Sequence, residues 1–236
     1  MEGLSTAKRK LLAIDCLKAL KEERTFRSLS RELKLPIGVI NRYVNGYVLP
    51  REERAQEIID YFYQTYFDKM IDEMSLLPEN KYRVTISILT NNFLLALIAH
   101  KASGLFEPNV DKVLTAASDG IALAIKMADA FGCRAVYAKN SQEITKGNLL
   151  ASRTAGAMPR TMPLFLPENL LGKSDHVLIV DDVIRSGSTV SALRDLCEQT
   201  RSRVAGVFAI FMTEEALAAL REQFTCPVHA IRVIRD

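Results

Sequence analysis

The segment 177–193, VLIVDDVIRSGSTVSAL, constrains this chain more than any other, because an apolar run, an acidic pair and a small-residue loop follow one another without a gap. Val177 to Val180 carry the unbroken apolar pattern of a strand buried on both faces, as central strands of parallel sheets are. Val190 to Thr200 read as the helix that follows, with Ser186, Gly187, Ser188 and Thr189 as the turn between them. These four residues have little bulk and two kinds of donor, so backbone N–H groups and hydroxyls can close around a phosphate at a helix N-terminus. Asp181 and Asp182 stand just before that turn. Adjacent carboxylates at a strand end suit a pair of vicinal hydroxyls, so strand end and loop together suit one phosphosugar.

With 236 residues, 48% of them hydrophobic and 25% charged, the chain can bury a sizeable core and hold one small and one medium domain. No stretch suits a membrane span: Phe93 to Ile98 is the best candidate, and His100 and Lys101 follow it. Lys8, Arg9 and Lys10 precede an amphipathic segment containing Asp15, Lys18 and Lys21, which is wrong for a signal peptide, so a cytoplasmic protein is expected. Cys16, Cys133, Cys197 and Cys226 lie far apart without CxxC spacing and read as buried, reduced thiols. A net charge of +3 does not by itself argue for nucleic acid.

The distribution of charge says more. Between Thr25 and Arg51 the bases are Arg27, Arg31, Lys34, Arg42 and Arg51, and the only acid is Glu32. Phe26 to Leu33 reads as a short amphipathic helix, Lys34-Leu35-Pro36 as a tight connection and Ile37 to Asn45 as a second helix. Pro36 suits its first position and Gly46 the left-handed residue that stops it. The inward set is Leu29, Leu33, Leu35, Val39, Ile40 and Val44. The outward set is Arg27, Ser28, Arg31, Ile37, Gly38, Asn41, Arg42 and Asn45. Asn41 can pair with an adenine edge, Arg42 with guanine or phosphate, and Ser28 and Arg31 can clamp a DNA backbone. With flanking helices at Leu11 to Leu20 and Ala55 to Phe67, the segment resembles the helix-turn-helix of phage-repressor-like domains. The alternative is a small helical dimerisation module whose charges are merely solvated.

The last head helix is expected to continue toward Met74, and Leu77-Pro78-Glu79-Asn80 to mark the boundary between domains at 1–76 and 77–236. Beyond it strands and helices alternate. Strands are expected near Arg83 to Ile88, at Val110 to Ala116, Ala135 to Ala138, Val177 to Val180, Val204 to Met212 and Val228 to Ile234. Helices are expected at Asn92 to Ser103, Gly120 to Phe131, Val190 to Thr200 and Glu214 to Phe224, with an irregular excursion from the third strand to Lys173. The fold class is therefore α/β: an all-helical head followed by a mostly parallel sheet that binds its ligand at the strands' carboxyl ends.

The segment 177–189 resembles the phosphoribosyl pyrophosphate (PRPP) motif of type I phosphoribosyltransferases. The resemblance implies that Asp181 and Asp182 contact the ribose hydroxyls and that Ser186, Gly187, Ser188 and Thr189 hold the 5′-phosphate. Arg185 stands where the family commonly has a small residue, and it either adds a phosphate contact or obstructs the substrate. Ala117, Ser118, Asp119 and Gly120 resemble the loop that meets the diphosphate; the plainer reading is a βα turn capped by Asp119. Lys139 matches the first of two basic residues expected near the diphosphate, but Asn140 follows. The rest of 136–165 resembles a hood closing over PRPP, with Lys146 and Arg153 as further cations. Magnesium would arrive with PRPP, touching Asp181 and Asp182 only indirectly; no catalytic residue is assigned.

Order, spacing and the ending CPVHAIRVI look closest to xanthine phosphoribosyltransferases and to the purine repressors that share their fold, and archaeal regulators of similar plan compare equally well. The expectation is a homodimeric, operator-binding transcription regulator that senses PRPP or a purine nucleotide, with little or no transferase activity. An active purine phosphoribosyltransferase with an accessory DNA-binding head is the alternative.

Overall fold

The computed structural model describes residues 6–75, 85–142, 147–153 and 163–235. The chain divides into two compact units, Met1–Leu97 and Ile98–Asp236.

The first unit is helical: α1 (Thr6–Glu23), α2 (Phe26–Glu32), α3 (Ile37–Val44), α4 (Glu52–Thr65), α5 (Phe67–Ser75), α6 (Ile86–Thr90) and the start of α7 (Asn92–Ser103). Thr25 caps α2 by accepting the Ser28 N–H at 3.2 Å. Pro36 stands at the N-cap of α3, one residue before the helical position expected for it. Helix α3 ends in a left-handed turn at Gly46 (φ 73°), where the Gly46 and Tyr47 N–H groups bond the carbonyls of Tyr43 and Arg42. Leu29, Leu35 and Ile40 are buried, and Leu33, Val39 and Val44 are half-buried. They join a core built from Leu17, Ile58, Phe62, Phe67 and Met70.

Two expectations fail in this unit. The long helix toward Met74 breaks at Tyr66, whose hydroxyl, with that of Tyr61, donates to Glu32 Oε2 at 2.9 and 3.1 Å. The strand expected up to Ile88 is helical where it is described, because Ile88 and Leu89 both return their N–H to the Thr85 carbonyl. Its β-branched composition is overridden by that local turn, which leads into α7, capped by Asn91 Oδ1 on the Leu94 N–H. Residues 77–80 of the expected boundary lie outside the described residues.

The second unit is a five-stranded parallel sheet in the order β2-β1-β5-β6-β7, where β1 is Lys112–Ala116, β2 Arg134–Ala138, β5 His176–Ile184, β6 Arg203–Thr213 and β7 Val228–Ile234. Helices α8 (Gly120–Phe131), α9 (Ser188–Thr200) and α10 (Glu214–Gln223) pack on it. The excursion read as irregular contains an antiparallel pair, β3 (Leu149–Ala151) and β4 (Phe165–Pro167). Strand β5 runs past Val180 through the acidic pair, and α9 begins at Ser188, two residues before the expected start. Leu114, Ile179, Val190, Leu193, Val207 and Leu220 belong to one apolar core beneath the strand ends. The four cysteines are free thiols, Cys16 and Cys197 buried and Cys133 and Cys226 half-buried. Among the described residues no helix is long and apolar enough to cross a membrane.

Candidate functional site

The connections of the sheet reverse direction between β1 and β5: from β1 the chain moves to β2, and from β5 it moves the other way to β6. Parallel sheets open a crevice at such a point, beyond the carboxyl ends of the two strands. Strand β1 leads there into residues 117–120, and β5 delivers Asp181 and Asp182 followed by the small-residue loop. The two segments that sequence reading assigned to one ligand are therefore neighbours at the switch.

Their contact point is Gly120. A Cβ built on it would lie 2.2 Å from Thr115 Oγ1 and 3.0 Å from Asp181 Oδ1, so no larger residue fits between the loop and the acidic pair. Asp119 holds the N-cap position of α8 but makes no side-chain capping bond; it accepts instead from Ser118 Oγ at 3.1 Å. The Ala117–Ser118 peptide is cis, and Ala117 N donates to the Ala138 carbonyl of β2 at 2.8 Å. That bond places the loop beside Lys139, the next residue of β2's chain.

Asp182 is buried and Asp181 nearly so, with Asp182 N donating to Asp181 Oδ1 at 3.0 Å. Burial, reinforced by the second carboxylate and more weakly by Asp119, pushes the Asp181 carboxyl up to about 7. Beyond the pair, Gly187 adopts φ 74° at the N-cap of α9 and supplies no side-chain cap. The first turn of α9 opens on the loop with the positive end of the helix dipole there, and Ser188 N donates to Ser186 Oγ at 3.4 Å. Ser186 Oγ and Ser188 Oγ lie 3.1 Å apart at the same mouth, and Thr189 is half-buried behind them. Arg185 is exposed, its carbonyl accepting from Thr213 Oγ1 at 2.7 Å.

Lys139 is half-buried and clasped to the β3–β4 pair: it exchanges two backbone bonds with Phe165, at 2.9 and 2.7 Å. Its ammonium lies 5.6 Å from the Tyr137 ring, in a cleft of about 280 Å³ that Leu149, Phe165 and Leu170 help to line. Arg153 is paired with Asp195 of α9 through its backbone N–H (2.6 Å) and guanidinium (2.7 Å). It ties the excursion to the helix; Lys146 lies outside the described residues. No group of three or more His, Cys, Asp or Glu side chains that could hold a metal ion occurs among the described residues. Sequence reading missed Thr115 and Thr213. The one available signal was the threonine directly before the acidic first turn of α10, an N-cap pattern that the structure bears out: Ala216 N donates to Thr213 Oγ1 at 3.1 Å.

In the head, Arg27, Arg31, Ile37, Gly38, Asn41, Arg42 and Asn45 are all exposed. Ser28 is half-buried and its hydroxyl is committed to Glu32 Oε1 at 2.6 Å, a contact that holds the Glu32 carboxyl below the usual carboxylate range. Asn45 Nδ2 donates to the Asn41 carbonyl and to Asn41 Oδ1, at 2.8 and 2.9 Å, which fixes the two amides relative to each other.

The profile of the phosphoribosyl transferase domain family matches residues 85–224. The purine biosynthesis transcriptional repressor PurR of Bacillus subtilis is 24% identical over 168 residues, 70% of this chain and 58% of that protein. A xanthine phosphoribosyltransferase of Bacillus cereus is 32% identical over 103 residues, 43% of this chain and 52% of that enzyme. The chain thus spans somewhat over half the length of these relatives. An adenine phosphoribosyltransferase structure from Rhodothermus marinus shares the fold at TM-score 0.60 and 20% identity, covering 71% of this chain and 98% of that one. These findings overturn the expectation of little or no transferase activity, which rested on Asn140 beside Lys139, on Arg185 and on the lack of an evident set of residues to pair with a purine edge. Lys139 follows the residue of β2 that bonds Ala117, Asn140 comes after it, and Arg185 is exposed with its carbonyl accepting from Thr213. By its sequence match and its fold, this chain belongs to the phosphoribosyl transferase domain family.

Proposed function

We propose that the second unit is a PRPP-dependent purine phosphoribosyltransferase and that the head is a DNA-binding module attached to it. The observation that carries the enzymatic reading is the junction at Gly120, where the loop after β1 meets the acidic pair after β5. One side of that junction suits a diphosphate and the other a ribose 5-phosphate, which are the two halves of PRPP. Asp181 and Asp182 would accept hydrogen bonds from the ribose hydroxyls, and the amides and hydroxyls of residues 186–189 would hold the 5′-phosphate. Residues 117–120 and Lys139 would hold the diphosphate, whose charge the accompanying magnesium ion offsets.

Transfer breaks the bond from C1 to the diphosphate oxygen and forms one from C1 to a base nitrogen; the base loses a proton and pyrophosphate leaves. Bond breaking runs ahead of bond making, so positive charge builds at C1. This chain's residues fix both halves of the substrate about that carbon and stabilise the departing charge, which is catalysis by positioning and electrostatics. Incubation with Mg²⁺, PRPP and each nucleobase tests this: a nucleotide and pyrophosphate are expected with a purine, and no product with any base would contradict it.

The match to a purine repressor over 70% of the chain supports a regulatory role carried by the head. In this reading residues 1–76 form a helix-turn-helix in which α3 enters the major groove. Asn41, Arg42, Asn45, Ile37 and Gly38 face the bases, while Arg27, Arg31 and Ser28 lie along the backbone. Two heads of a cytoplasmic homodimer would read a near-palindrome with half-sites about 34 Å apart. Residues 77–236 would report PRPP or purine nucleotide to them. Footprinting on the chain's own genomic DNA tests this reading, and absence of any protected palindrome, with or without PRPP, would leave the head as a dimerisation module.

A further inference from the structure

The phosphate loop is braced from outside by an element that the proposed mechanism does not use. Thr213, fully buried at the carboxyl end of β6, donates its hydroxyl to the Arg185 carbonyl at 2.7 Å and accepts the Ala216 N–H at 3.1 Å. One oxygen thus starts α10 and fixes the backbone where the loop begins. Two residues further on, the left-handed Gly187 lies against α10: a Cβ built there would be 3.1 Å from Leu220 Cδ2. Along the helix that follows, Arg194 donates to the Gln223 carbonyl at 3.2 Å, and its guanidinium lies 5.1 Å from the centre of the Phe224 ring. The loop and its helix are therefore tied to the α10 element at the loop entrance, at its apex and along α9.

We propose that Thr213 and Leu220 are positioning residues for the phosphate loop, acting on the ligand through the backbone of Arg185 and Gly187. This rests on the reading of residues 186–189 as the 5′-phosphate site. Amides hold an anion well only when their directions are set beforehand, since any ordering required on binding is subtracted from the affinity. Without the Thr213 hydroxyl the Arg185 carbonyl loses its donor and the loop entrance is free to shift. Without the Leu220 side chain Gly187 loses the surface it rests on.

The test is calorimetric titration of the full chain with ribose 5-phosphate, well below its melting temperature, for the wild type, Thr213→Val, Thr213→Ser and Leu220→Ala. Thr213→Val, nearly isosteric but without a hydroxyl, is expected to weaken binding about tenfold. Thr213→Ser restores the donor and is expected to stay within about twofold of wild type, and Leu220→Ala to lose roughly three- to fivefold. In turnover assays the variants should raise the KM for PRPP more than they lower kcat, a split that general destabilisation does not produce. A folded Thr213→Val variant with wild-type affinity would overturn the proposal, as would a Thr213→Ser variant as weak as Thr213→Val. If Thr213→Val does not fold, wild-type affinity in Leu220→Ala overturns it. Failure of the wild type itself to bind ribose 5-phosphate contradicts the phosphate-site reading instead, which keeps the two failures apart.

Discussion

The head surface and the strand-end crevice are built on opposite principles. On α3 the candidate residues are exposed side chains on one face of a short helix, and apart from the Asn41–Asn45 bond they owe little to one another. In the crevice the candidate groups are carboxylates, hydroxyls and backbone amides of neighbouring loops, packed so closely that a single methyl at Gly120 collides with Thr115 and Asp181. Exposed faces tolerate substitution and can change specificity one residue at a time. A crevice of interlocked loops should fail as a unit.

The largest expected effect tests that contrast where it is sharpest. Gly120→Val should cost about 1–3 kcal/mol of stability through overpacking and abolish PRPP binding, because the loop must lift off Asp181 to make room. Thermal denaturation and PRPP titration check it, and a variant that binds normally would show the loops to be independent. Next, Asp182→Asn combined with Thr189→Ala should remove the thermal shift caused by PRPP or a nucleoside monophosphate, which in the wild type corresponds to about 2.7 kcal/mol at a hundredfold excess over Kd. A persisting shift would place the ligand elsewhere.

On the head, Arg42→Ala should weaken specific DNA binding by about 1–3 kcal/mol while leaving stability within about 0.5 kcal/mol and PRPP binding unchanged. Coupled losses in all three quantities would erase the distinction between the two regions. The smallest effect concerns pH. The Asp181 carboxyl is raised to about 7, so between roughly its ordinary value and 7 the folded state binds more protons than the unfolded chain. Its contribution to stability is therefore greatest at low pH and is lost as pH rises through about 7. Asp181→Asn should accordingly stabilise the protein by about 0.5–2 kcal/mol at pH 8, with the gain fading toward pH 4, in denaturant titrations at several pH values. Because ribose hydroxyls donate to the charged form, wild-type PRPP affinity should rise across the same interval.

What could be read from the sequence divides along the same line. The strand, acidic pair and loop of 177–189 are contiguous, so their arrangement as strand, turn and helix was legible from order alone; β7 and helices α7 and α8 likewise follow from local pattern and begin and end where expected. Contacts between distant residues left no such trace. Thr213 meets Arg185 across 28 positions, and the crowding of Gly120 against Asp181 depends on β1 and β5 being neighbours. The contact that Tyr66 makes at the break, with a carboxylate on α2, was equally hidden, since its partner lies 34 residues away. Residues 85–88 misled in the opposite sense: a strand was expected near Arg83 to Ile88, and two hydrogen bonds to the Thr85 carbonyl made a helix where it is described. Arg153 was legible as a cation but not as the partner of Asp195.

The central claim is that the two loops joined at Gly120 form one PRPP site that transfers phosphoribose to a purine. Its most direct test is pyrophosphate release from PRPP and Mg²⁺, measured with each purine base in the wild type and in the Asp182→Asn, Thr189→Ala variant. The account predicts release that depends on a particular purine and disappears in the variant, while the variant's head still binds DNA as the wild type does. Release with no base, or release that is unchanged in the variant, would contradict it.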